Sequence, residues 1–161
     1  MAAVVTLSSK CRNDSVVERV GTRWADNDIY GHINNAVFYT LIDTAVNRFM
    51  ISRAGLVIHS GPVIGLVVES GCRFHAPLSF PGEVFVGLKV ARLGTSSVTW
   101  HAGIFADPMM DRATAAADAH VTHVLVDRAD RRPTPWPDTM RDALTSALGQ
   151  SQSEKDPGPD G

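Results

Sequence analysis

Cysteine is nearly absent from this 161-residue sequence. Cys11 and Cys72 are its only two cysteines, and they do not form a spacing that is typical of metal sites. Two isolated thiols fit a reducing compartment better than a disulfide framework. We therefore expect a cytoplasmic protein with two inert thiols and no metal site.

The sequence also lacks a long apolar run and an excess of charge of either sign. No stretch of about 18 apolar residues is present, so no membrane-spanning helix is expected. The N-terminus has no basic region before an apolar core, which argues against a signal peptide. The formal net charge is −2, with both signs scattered, whereas nucleic-acid binding demands a basic face. Neither a membrane nor a nucleic acid is expected as the main partner.

The length suits a single domain with a full hydrophobic core. We expect residues 1–13 to be a flexible lead-in and residues 14–148 to form the domain. Residues 149–161, GQSQSEKDPGPDG, are polar and rich in Gly, Pro and Ser. Such a composition cannot bury enough apolar surface to fold, so this tail is expected to be disordered.

The hydrophobic pattern predicts one strand, one long helix and then four strands. The segment SVVERVGTRWA reads as a strand, and Gly55 is a plausible stop for the helix that follows it. Apolar residues recur at helical spacing through Phe38, Leu41, Ile42, Ala45, Val46, Phe49 and Met50.

Four β-rich runs come after the helix: PVIGLVVESGCRF, EVFVGLKVARLG, SVTWHAGIFAD and AADAHVTHVLVDR. Their short connections favour antiparallel pairing, and ADPMMDRA looks like a hairpin connection. A short C-terminal helix should follow, with Asp138 or the residue just before it as the N-cap. The predicted fold class is α+β, with an antiparallel sheet curled around the single long helix.

Polar residues are concentrated where the first strand gives way to the long helix, in RWADNDIYGHINNAVFY, residues 23–39. If the chain stays extended there, Asp26 and Asp28 point to the same side. Two close carboxylates repel, so one of them should hold its proton more tightly than usual. Gly31 permits a backbone turn that other residues resist.

Asparagine suits the start of a helix, because its side-chain oxygen can accept from N–H groups that lack a partner. Asn34 or Asn35 is therefore expected to cap the long helix. For Asp26, Asn27 and Asn34, the preferred interpretation is a structural role in the turn or the cap. The same junction can also do chemistry, because unpaired N–H groups at a helix start stabilise the negative charge that develops during acyl transfer. A carboxylate just upstream, together with that helix start, is a minimal site for hydrolysing an activated ester.

The junction resembles the signature of the hotdog-fold acyl-CoA thioesterases, in the 4-hydroxybenzoyl-CoA thioesterase-like family. That signature is an aromatic residue and then D-x-D-x-x-G-H-x-N-N-x-x-Y, which opens a long helix. Its matching positions here are Asp26, Asp28, Gly31, His32, Asn34, Asn35 and either Phe38 or Tyr39. GCRFHAPLSFPGEVFV and the C-terminal segment also resemble the family, so the resemblance covers roughly residues 15–148.

The resemblance implies a five-stranded antiparallel hotdog sheet wrapped around one central helix. It implies a homodimer or homotetramer whose sheets join edge to edge, with active sites at subunit interfaces. The apolar, proline-free segment EVFVGLKVARL is expected to be a pairing edge. No cofactor is implied, because coenzyme A is part of the substrate.

The resemblance also implies roles for single residues. Asp28 would act on the thioester carbonyl as nucleophile or general base, Asn35 would supply a backbone N–H, and Gly31 would let the thioester approach. The implied substrate-binding residues are His32, Asn34, Tyr39 and Arg73, with Arg73 a candidate for the coenzyme A phosphates. His101 and His123 are expected to be hydrogen-bonded structural histidines.

Two other functions remain open at this level. One is a hotdog hydratase or dehydratase, which uses a catalytic histidine in a different helix motif that NDIYGHINN does not contain. The other is a non-catalytic acyl-CoA-binding protein. The sequence does not say which acyl group is recognised, because chain length and aromaticity depend on the shape of the pocket.

Overall fold

The computed structural model describes residues 16–106 and 115–148, which form five strands and two α-helices. The strands are β1 (Val16–Gly21), β2 (Val63–Phe74), β3 (Glu83–Leu93), β4 (Ser97–Phe105) and β5 (Ala117–Asp127). The helices are α1 (Asn35–Ser52) and α2 (Asp138–Ser146). The predicted α+β class and the predicted order of elements are confirmed. The expected lead-in 1–13 and tail 149–161, and most of the ADPMMDRA connection, lie outside the described residues.

All five strands belong to one antiparallel sheet in the order β1-β3-β4-β5-β2. The edges are therefore β1 and β2, and β2 is the longer of the two, with 12 residues. The prediction that EVFVGLKVARL forms a pairing edge is wrong, because this segment is β3 and lies between β1 and β4. Its apolar composition goes with burial in the middle of the sheet, where Val84, Phe85, Val86, Leu88 and Val90 are buried.

Helix α1 packs one face against the sheet and supplies much of the core. All seven of the apolar positions predicted for this face are buried. Phe49 meets Trp100 of β4 edge to face at 5.1 Å between ring centroids, and Phe38 meets Phe74 of β2 at the same distance. Gly55 follows the helix with a φ of 72°, and this left-handed conformation turns the chain out of α1.

The first strand is shorter than SVVERVGTRWA predicted. Strand β1 ends at Gly21, and Trp24–Asp26 form one turn of 3₁₀ helix. The physical reason is the register, since Gly21 pairs with Glu83, the first residue of β3. Beyond that point the chain has no neighbouring strand to bond with, and it coils before α1.

The C-terminal helix begins at Asp138, with Pro137 as its N-cap residue, so the second of the two predicted caps is the correct one. Met140 and Leu144 of α2 are buried against the end of the sheet. The Val90 N–H of β3 donates to the Ala147 carbonyl at 2.8 Å, which fixes the end of α2 to the sheet. Over residues 16–106 and 115–148, no helix is long and apolar enough to cross a membrane.

Candidate active site at the start of the long helix

Asp26 is locked into the chain before α1. Its side chain is only 2% exposed, and its Oδ2 accepts from the Arg23 N–H at 2.7 Å. Its Oδ1 accepts from the Arg23 guanidinium, at 3.0 Å from Nε and 2.8 Å from Nη2. These bonds close the 3₁₀ turn, so Asp26 has the structural role that was preferred for it.

The electrostatics of Asp26 differ from the expectation of a repelling carboxylate pair. Burial raises the pKa of Asp26, but the hydrogen bonds and positive charge of Arg23 outweigh burial and leave this pKa below its usual value. The 3₁₀ turn also means that the chain at Asp26 is not extended, so alternation along a strand does not place Asp26 and Asp28 on one side. The charge of the buried Asp26 is thus stabilised by Arg23.

A short antiparallel pairing joins the two arms of the loop that follows. The Asn34 N–H donates to the Asp26 carbonyl at 2.9 Å, and the Asp28 N–H donates to the His32 carbonyl at 2.8 Å. A β-bridge between residues 27 and 33 lies between these two bonds. Asp28 is paired with His32, which lies two residues before Asn34, the residue that caps α1. At the rise of an extended chain, two residues correspond to roughly 7 Å along the pairing.

Asp28 is held at the tip of this loop. Its Oδ1 accepts from the Tyr30 N–H at 2.9 Å, and its carbonyl accepts from the Gly31 N–H at 3.1 Å. Gly31 has a φ of 80°, a conformation that favours glycine, and a Cβ there would meet no atom within 4 Å. Asp28 is half-buried, whereas Ile29 is 93% exposed and Tyr30 is 78% exposed. The carboxylate therefore stands in an open, partly apolar setting.

A second loop, residues 75–82, braces the first one. The Phe80 N–H donates to Asn27 Oδ1 at 3.0 Å, which gives Asn27 the structural role preferred for it. The Ile33 N–H donates to the Leu78 carbonyl at 2.7 Å, and Ser79 Oγ donates to the Gly31 carbonyl at 3.1 Å. The loop that bears Asp28 is thus fixed to the second loop by one bond between backbone groups and by two bonds that involve the side chains of Asn27 and Ser79.

The first residue of α1, Asn35, presents a backbone N–H group at the start of the helix. Asn34 is the N-cap, and its Oδ1 accepts from the Ala36 N–H at 2.9 Å. The Val37 N–H donates to the Asn34 carbonyl, also at 2.9 Å. Within the described part of the chain, the Asn35 N–H has no hydrogen-bond acceptor. This N–H lies at the positive end of the helix dipole, on the exposed side of the helix.

A cleft of about 370 Å³ opens further along α1, between this helix and the strands β2 and β5. Its lining residues are Tyr39, Thr40, Asp43, Val67, Ser70 and Val121. The lining does not include Asp28, but the cleft begins at Tyr39, one helical turn after Asn35. The predicted residue Tyr39 therefore lines a cavity whose nearest lining residue is one helical turn beyond the start of α1.

The structure does not bring together every residue that the sequence predicted for the site. Arg73 lies on β2 between Cys72, which packs on the core, and Phe74, which contacts Phe38 of α1. Neighbouring side chains on a strand alternate in direction, so Arg73 points away from α1. His32 lies in the loop beside Asp28 and is exposed.

The sequence reasoning missed the polar wall of the cleft. Asp43 lies eight residues after Asn35 and four after Tyr39, so all three share one face of α1. All three are exposed, whereas the opposite face is apolar and buried. This polar stripe is visible in the sequence, but the partner strand β2 could not be assigned to it without the fold.

The family model of the thioesterase superfamily matches residues 30–113, slightly more than half of the 161 residues. The chain belongs to the thioesterase superfamily. Its hotdog fold, predicted from the resemblance, is confirmed. The matched region begins just after Asp28 and includes Gly31, His32, Asn34 and Asn35. A search of curated proteins gave no match.

Solved structures agree with this assignment to the superfamily. The PA5185 protein from Pseudomonas aeruginosa strain PAO1 is 44% identical, with a TM-score of 0.81 over 88% of this chain and 97% of that chain. The PA2801 protein from Pseudomonas aeruginosa is 28% identical, with a TM-score of 0.71 over 80% of this chain and 96% of that one.

A 1,4-dihydroxy-2-naphthoyl-CoA thioesterase from Synechocystis shares the fold at 19% identity. Its TM-score is 0.70 over 81% of this chain and 96% of that one. Membership of the superfamily makes the chain a thioester hydrolase. Among the described residues, no group of three or more His, Cys, Asp or Glu side chains is arranged to hold a metal ion.

Proposed function

We propose that this thioesterase-superfamily member hydrolyses an acyl-CoA thioester to the free acid and coenzyme A. The observation that carries the proposal is the unpartnered Asn35 N–H at the start of α1, close to a loop that holds the Asp28 carboxylate. A thioester carbonyl oxygen that accepts from this N–H gains stabilisation as negative charge develops on it. No other side-chain nucleophile is required.

Asp28 supplies the second half of the reaction. As a nucleophile, it attacks the carbonyl carbon, expels the coenzyme A thiolate and forms an anhydride that water then hydrolyses. As a general base, it takes a proton from water, and that water attacks the carbonyl carbon directly. In both routes one water is consumed and the products are the acid and the thiol. Oδ1 accepts from the Tyr30 N–H, so the second carboxylate oxygen is the one that we assign to this step.

The neighbouring residues have supporting roles in the proposal. Gly31 keeps the chain beside Asp28 open to the substrate, because its missing side chain leaves that space empty. His32 is exposed beside Asp28, and Asn34 uses its oxygen for the cap, which leaves its amide nitrogen to meet the substrate. Tyr39 contacts the acyl group in the cleft. The Arg73 side chain faces away from α1 of its own chain. It can therefore contact the coenzyme A phosphates only of a substrate that is bound at another subunit of the assembly.

We also propose a homodimer that joins through β2, alone or as half of a homotetramer. Strand β2 is an edge with backbone groups available for pairing, and it contains no proline. Val67 is 50% exposed and Val68 is 61% exposed on this strand. A second β2 pairing here would cover that apolar surface and close the cleft that Val67 lines. This replaces β3 as the proposed pairing edge.

The compartment and the remaining partners are also proposals. We assign the protein to the cytoplasm, where acyl-CoA would be its substrate and where reduced thiols such as Cys72 are maintained. Neither a nucleic acid nor a membrane is proposed as a partner.

The proposed reaction is tested by incubating the protein with short, medium, long and aromatic acyl-CoAs and detecting the released thiol. Turnover of at least one acyl-CoA is expected, and the most active one identifies the acyl class. Binding without thiol release from any of them would contradict hydrolysis and favour an acyl-CoA-binding role. Addition of water to an unsaturated acyl-CoA, without thiol release, would favour a hydratase.

The proposed dimer is tested by sedimentation across a dilution series, run beside the same assay. Activity is expected to fall as the dimer dissociates, because each site would include residues of two chains. Val68→Lys should promote dissociation by placing a charge on the pairing edge. Val17→Lys, at a half-exposed valine on the opposite edge β1, is the matched control. A fully active monomer would contradict the shared site.

A further inference from the structure

Residues 28–32, which we call the Asp28 loop, carry two large apolar side chains that project into solvent. Ile29 is 93% exposed and Tyr30 is 78% exposed. Apolar side chains that project together in this way are typical of a surface that another molecule covers. The Tyr30 N–H also donates to Asp28 Oδ1 at 2.9 Å. A contact that fixes Tyr30 would therefore fix the carboxylate as well.

A second exposed apolar surface lies in residues 57–61, between α1 and β2, which we call the 57–61 turn. Val57 is 55% exposed and Ile58 is 44% exposed. The Gly61 N–H donates to the Val57 carbonyl at 3.0 Å, which closes the turn on itself. The two apolar side chains are therefore presented by a closed turn.

Arg128, which directly follows β5, braces this turn. Its Nε donates to the Gly61 carbonyl and its Nη2 to the Ile58 carbonyl, both at 2.6 Å. Its backbone N–H donates to the Pro62 carbonyl at 2.8 Å. A guanidinium is planar and holds its donors in a fixed fork, so the two carbonyls are held in fixed relative positions. Arg128 thus makes the 57–61 turn a rigid projection.

Within one chain the two surfaces lie at opposite ends of α1. The Asp28 loop precedes this helix and the 57–61 turn follows it. The 18 residues of α1 span about 27 Å at 1.5 Å per residue. The turn of a chain therefore cannot cover the Asp28 loop of the same chain.

The Asp28 loop lies just beyond the C-terminal end of β2. Phe74, the last residue of β2, contacts Phe38 in the first turn of α1. The loop that follows Phe74 binds the Asp28 loop and its neighbour through the Gly31 carbonyl and the Ile33 N–H.

The proposed β2 dimer brings the 57–61 turn of one chain to this place in the other. When two β2 strands pair antiparallel along their full length, Val63, the first residue of one, lies opposite Phe74, the last residue of the other. The turn immediately before Val63 then lies beside the Asp28 loop of the other subunit. The two exposed apolar surfaces would cover each other.

The buried polar atoms without a partner are not part of this contact. In the described residues these atoms are Trp100 Nε1 and His123 Nδ1, so the expectation of a fully hydrogen-bonded His123 is wrong for this atom. Both residues lie in the interior of their own chain, on β4 and β5. His101 is exposed on β4 and is not a core histidine either.

We propose that the 57–61 turn of one subunit packs on Ile29 and Tyr30 of the other, so that Arg128 positions Asp28 across the dimer interface. Arg128 does not touch the substrate. It acts through the turn and then through Tyr30, whose N–H holds Asp28 Oδ1. The inference rests on the proposed dimer and on the proposed role of Asp28, for which a small displacement is costly in rate.

Chemical cross-linking tests the contact without an assay of hydrolysis. The double variant Ile29→Cys/Ile58→Cys is treated with a bis-maleimide too short to span the roughly 27 Å within one chain. A covalent dimer is expected, at several times the yield of either single variant. The single variants measure the background from Cys11 and Cys72, and burial, with a smaller effect of Asp118, raises the pKa of Cys72 to about 11, which makes its thiol slow to react. A yield no higher than this background would overturn the inference.

Hybrid dimers test whether the turn acts on the other chain. Ile58→Lys puts a charge on the turn and should lower turnover by about tenfold. When an Ile58→Lys chain pairs with an Asp28→Asn chain, one site combines an intact Asp28 with an intact turn. The hybrid, purified through two different tags, should recover about half of the wild-type turnover, since a two-fold dimer has two sites. A hybrid no more active than the mean of its parents would overturn the inference.

Arg128→Gln tests the positioning role without changing the apolar surface. It should lower kcat per folded dimer by about tenfold with little change in KM, and pairing with Asp28→Asn chains should again restore activity. Arg141→Gln is the matched control, since this guanidinium donates to the Gly94 carbonyl at 2.9 Å, between β3 and β4. It should leave kcat close to wild type. Equal losses of kcat in both variants, or none in Arg128→Gln, would overturn the role of Arg128.

The outcomes separate this inference from the proposed function. Thiol release by wild type without specific cross-linking would overturn the contact and leave the thioesterase proposal standing. Specific cross-linking in a protein that releases no thiol would overturn the proposed reaction and support the contact. Specific cross-linking without recovery in the hybrids would overturn the positioning of Asp28 by the other subunit.

Discussion

Two neighbouring parts of one loop behave in opposite ways. In residues 23–27 nearly every polar side chain is hydrogen-bonded. Asp26 accepts from Arg23, and Asn27 accepts from the Phe80 N–H of the second loop. In residues 28–32 the bonds are mostly those of the backbone, and the side chains project outward. Ile29 is 93% exposed, whereas Asp26 is 2% exposed only three residues earlier.

The comparison shows how similar residues acquire different functions. Asp26 has its charge matched by Arg23 and its oxygens filled, so it stabilises the loop but cannot attack a substrate. Asp28 uses one oxygen on the Tyr30 N–H and lies in the open part of the loop. The first part is thus a rigid support, and the second part presents the carboxylate that we propose as the catalytic group. Rigid support is what a catalytic group needs to stay within reach of its target.

The largest expected effect is on turnover by Asp28→Asn. It should lower kcat by about 100-fold, the order expected from the loss of a general base or nucleophile. The fold should survive, because the asparagine oxygen can still accept from the Tyr30 N–H. Thiol release and thermal unfolding should be measured on the same samples. Turnover close to wild type would remove Asp28 from the mechanism.

The converse effect is expected from Asp26→Asn, which should reduce stability more than turnover. Loss of the carboxylate weakens three bonds to Arg23, and a cost of about 2 kcal/mol in the free energy of unfolding is expected. Urea unfolding measures this directly. Arg23→Gln should cost less, because the Arg23 N–H still donates to Asp26. An unchanged urea midpoint for Asp26→Asn would show that the bonds between Asp26 and Arg23 do not stabilise the folded protein.

Gly31 belongs to the open part of the loop, and Gly31→Val should lower turnover more than stability. Valine at a φ of 80° adds a strain of about 1–2 kcal/mol, although its Cβ would touch nothing. Gly31→Asn separates strain from access, because asparagine tolerates this conformation. We expect it to keep most of the stability while turnover falls about tenfold, through displacement of the substrate. A stability loss with normal turnover per folded molecule would favour a turn-only role.

The smallest expected effect is the pH dependence that Asp26 contributes. Its pKa is lowered in the folded protein, and an unfolded aspartate titrates at about 3.9. The stabilisation is therefore fully present above about pH 4 and is lost as the pH falls through the folded-state pKa. The difference in melting temperature between wild type and Asp26→Asn should narrow over that acidic range. A difference that does not change with pH would exclude the charge of Asp26 as its source.

Local patterns predicted most of the fold. The apolar stripe from Phe38 to Met50 predicted the buried face of α1. The β-rich runs predicted the bounds of the last four strands to within about two residues. The edge of the sheet was not predictable, because strand order depends on long-range pairing. Composition made β3 look suited to pairing, but its position between two strands depends on contacts that no local pattern encodes.

The candidate site was partly predictable for the same reason. The cap at Asn34 and the structural role of Asp26 follow from residue types at a strand-to-helix junction. The lowered pKa of Asp26 could not be predicted in this way. Arg23, which lowers it, contacts Asp26 through a 3₁₀ turn, whereas the sequence pattern of this segment predicted a strand. Asp43 was missed because its significance depends on β2, which follows it by 20 or more residues.

The most direct test of the account is the ratio of turnover by Asp26→Asn to turnover by Asp28→Asn. Both variants replace a carboxylate by an amide in the same loop, and both should be assayed per folded molecule on the preferred acyl-CoA. We predict that Asp26→Asn turns over at least about tenfold faster, because only Asp28 acts on the thioester. A ratio at or below one would contradict the account and assign the chemistry to Asp26.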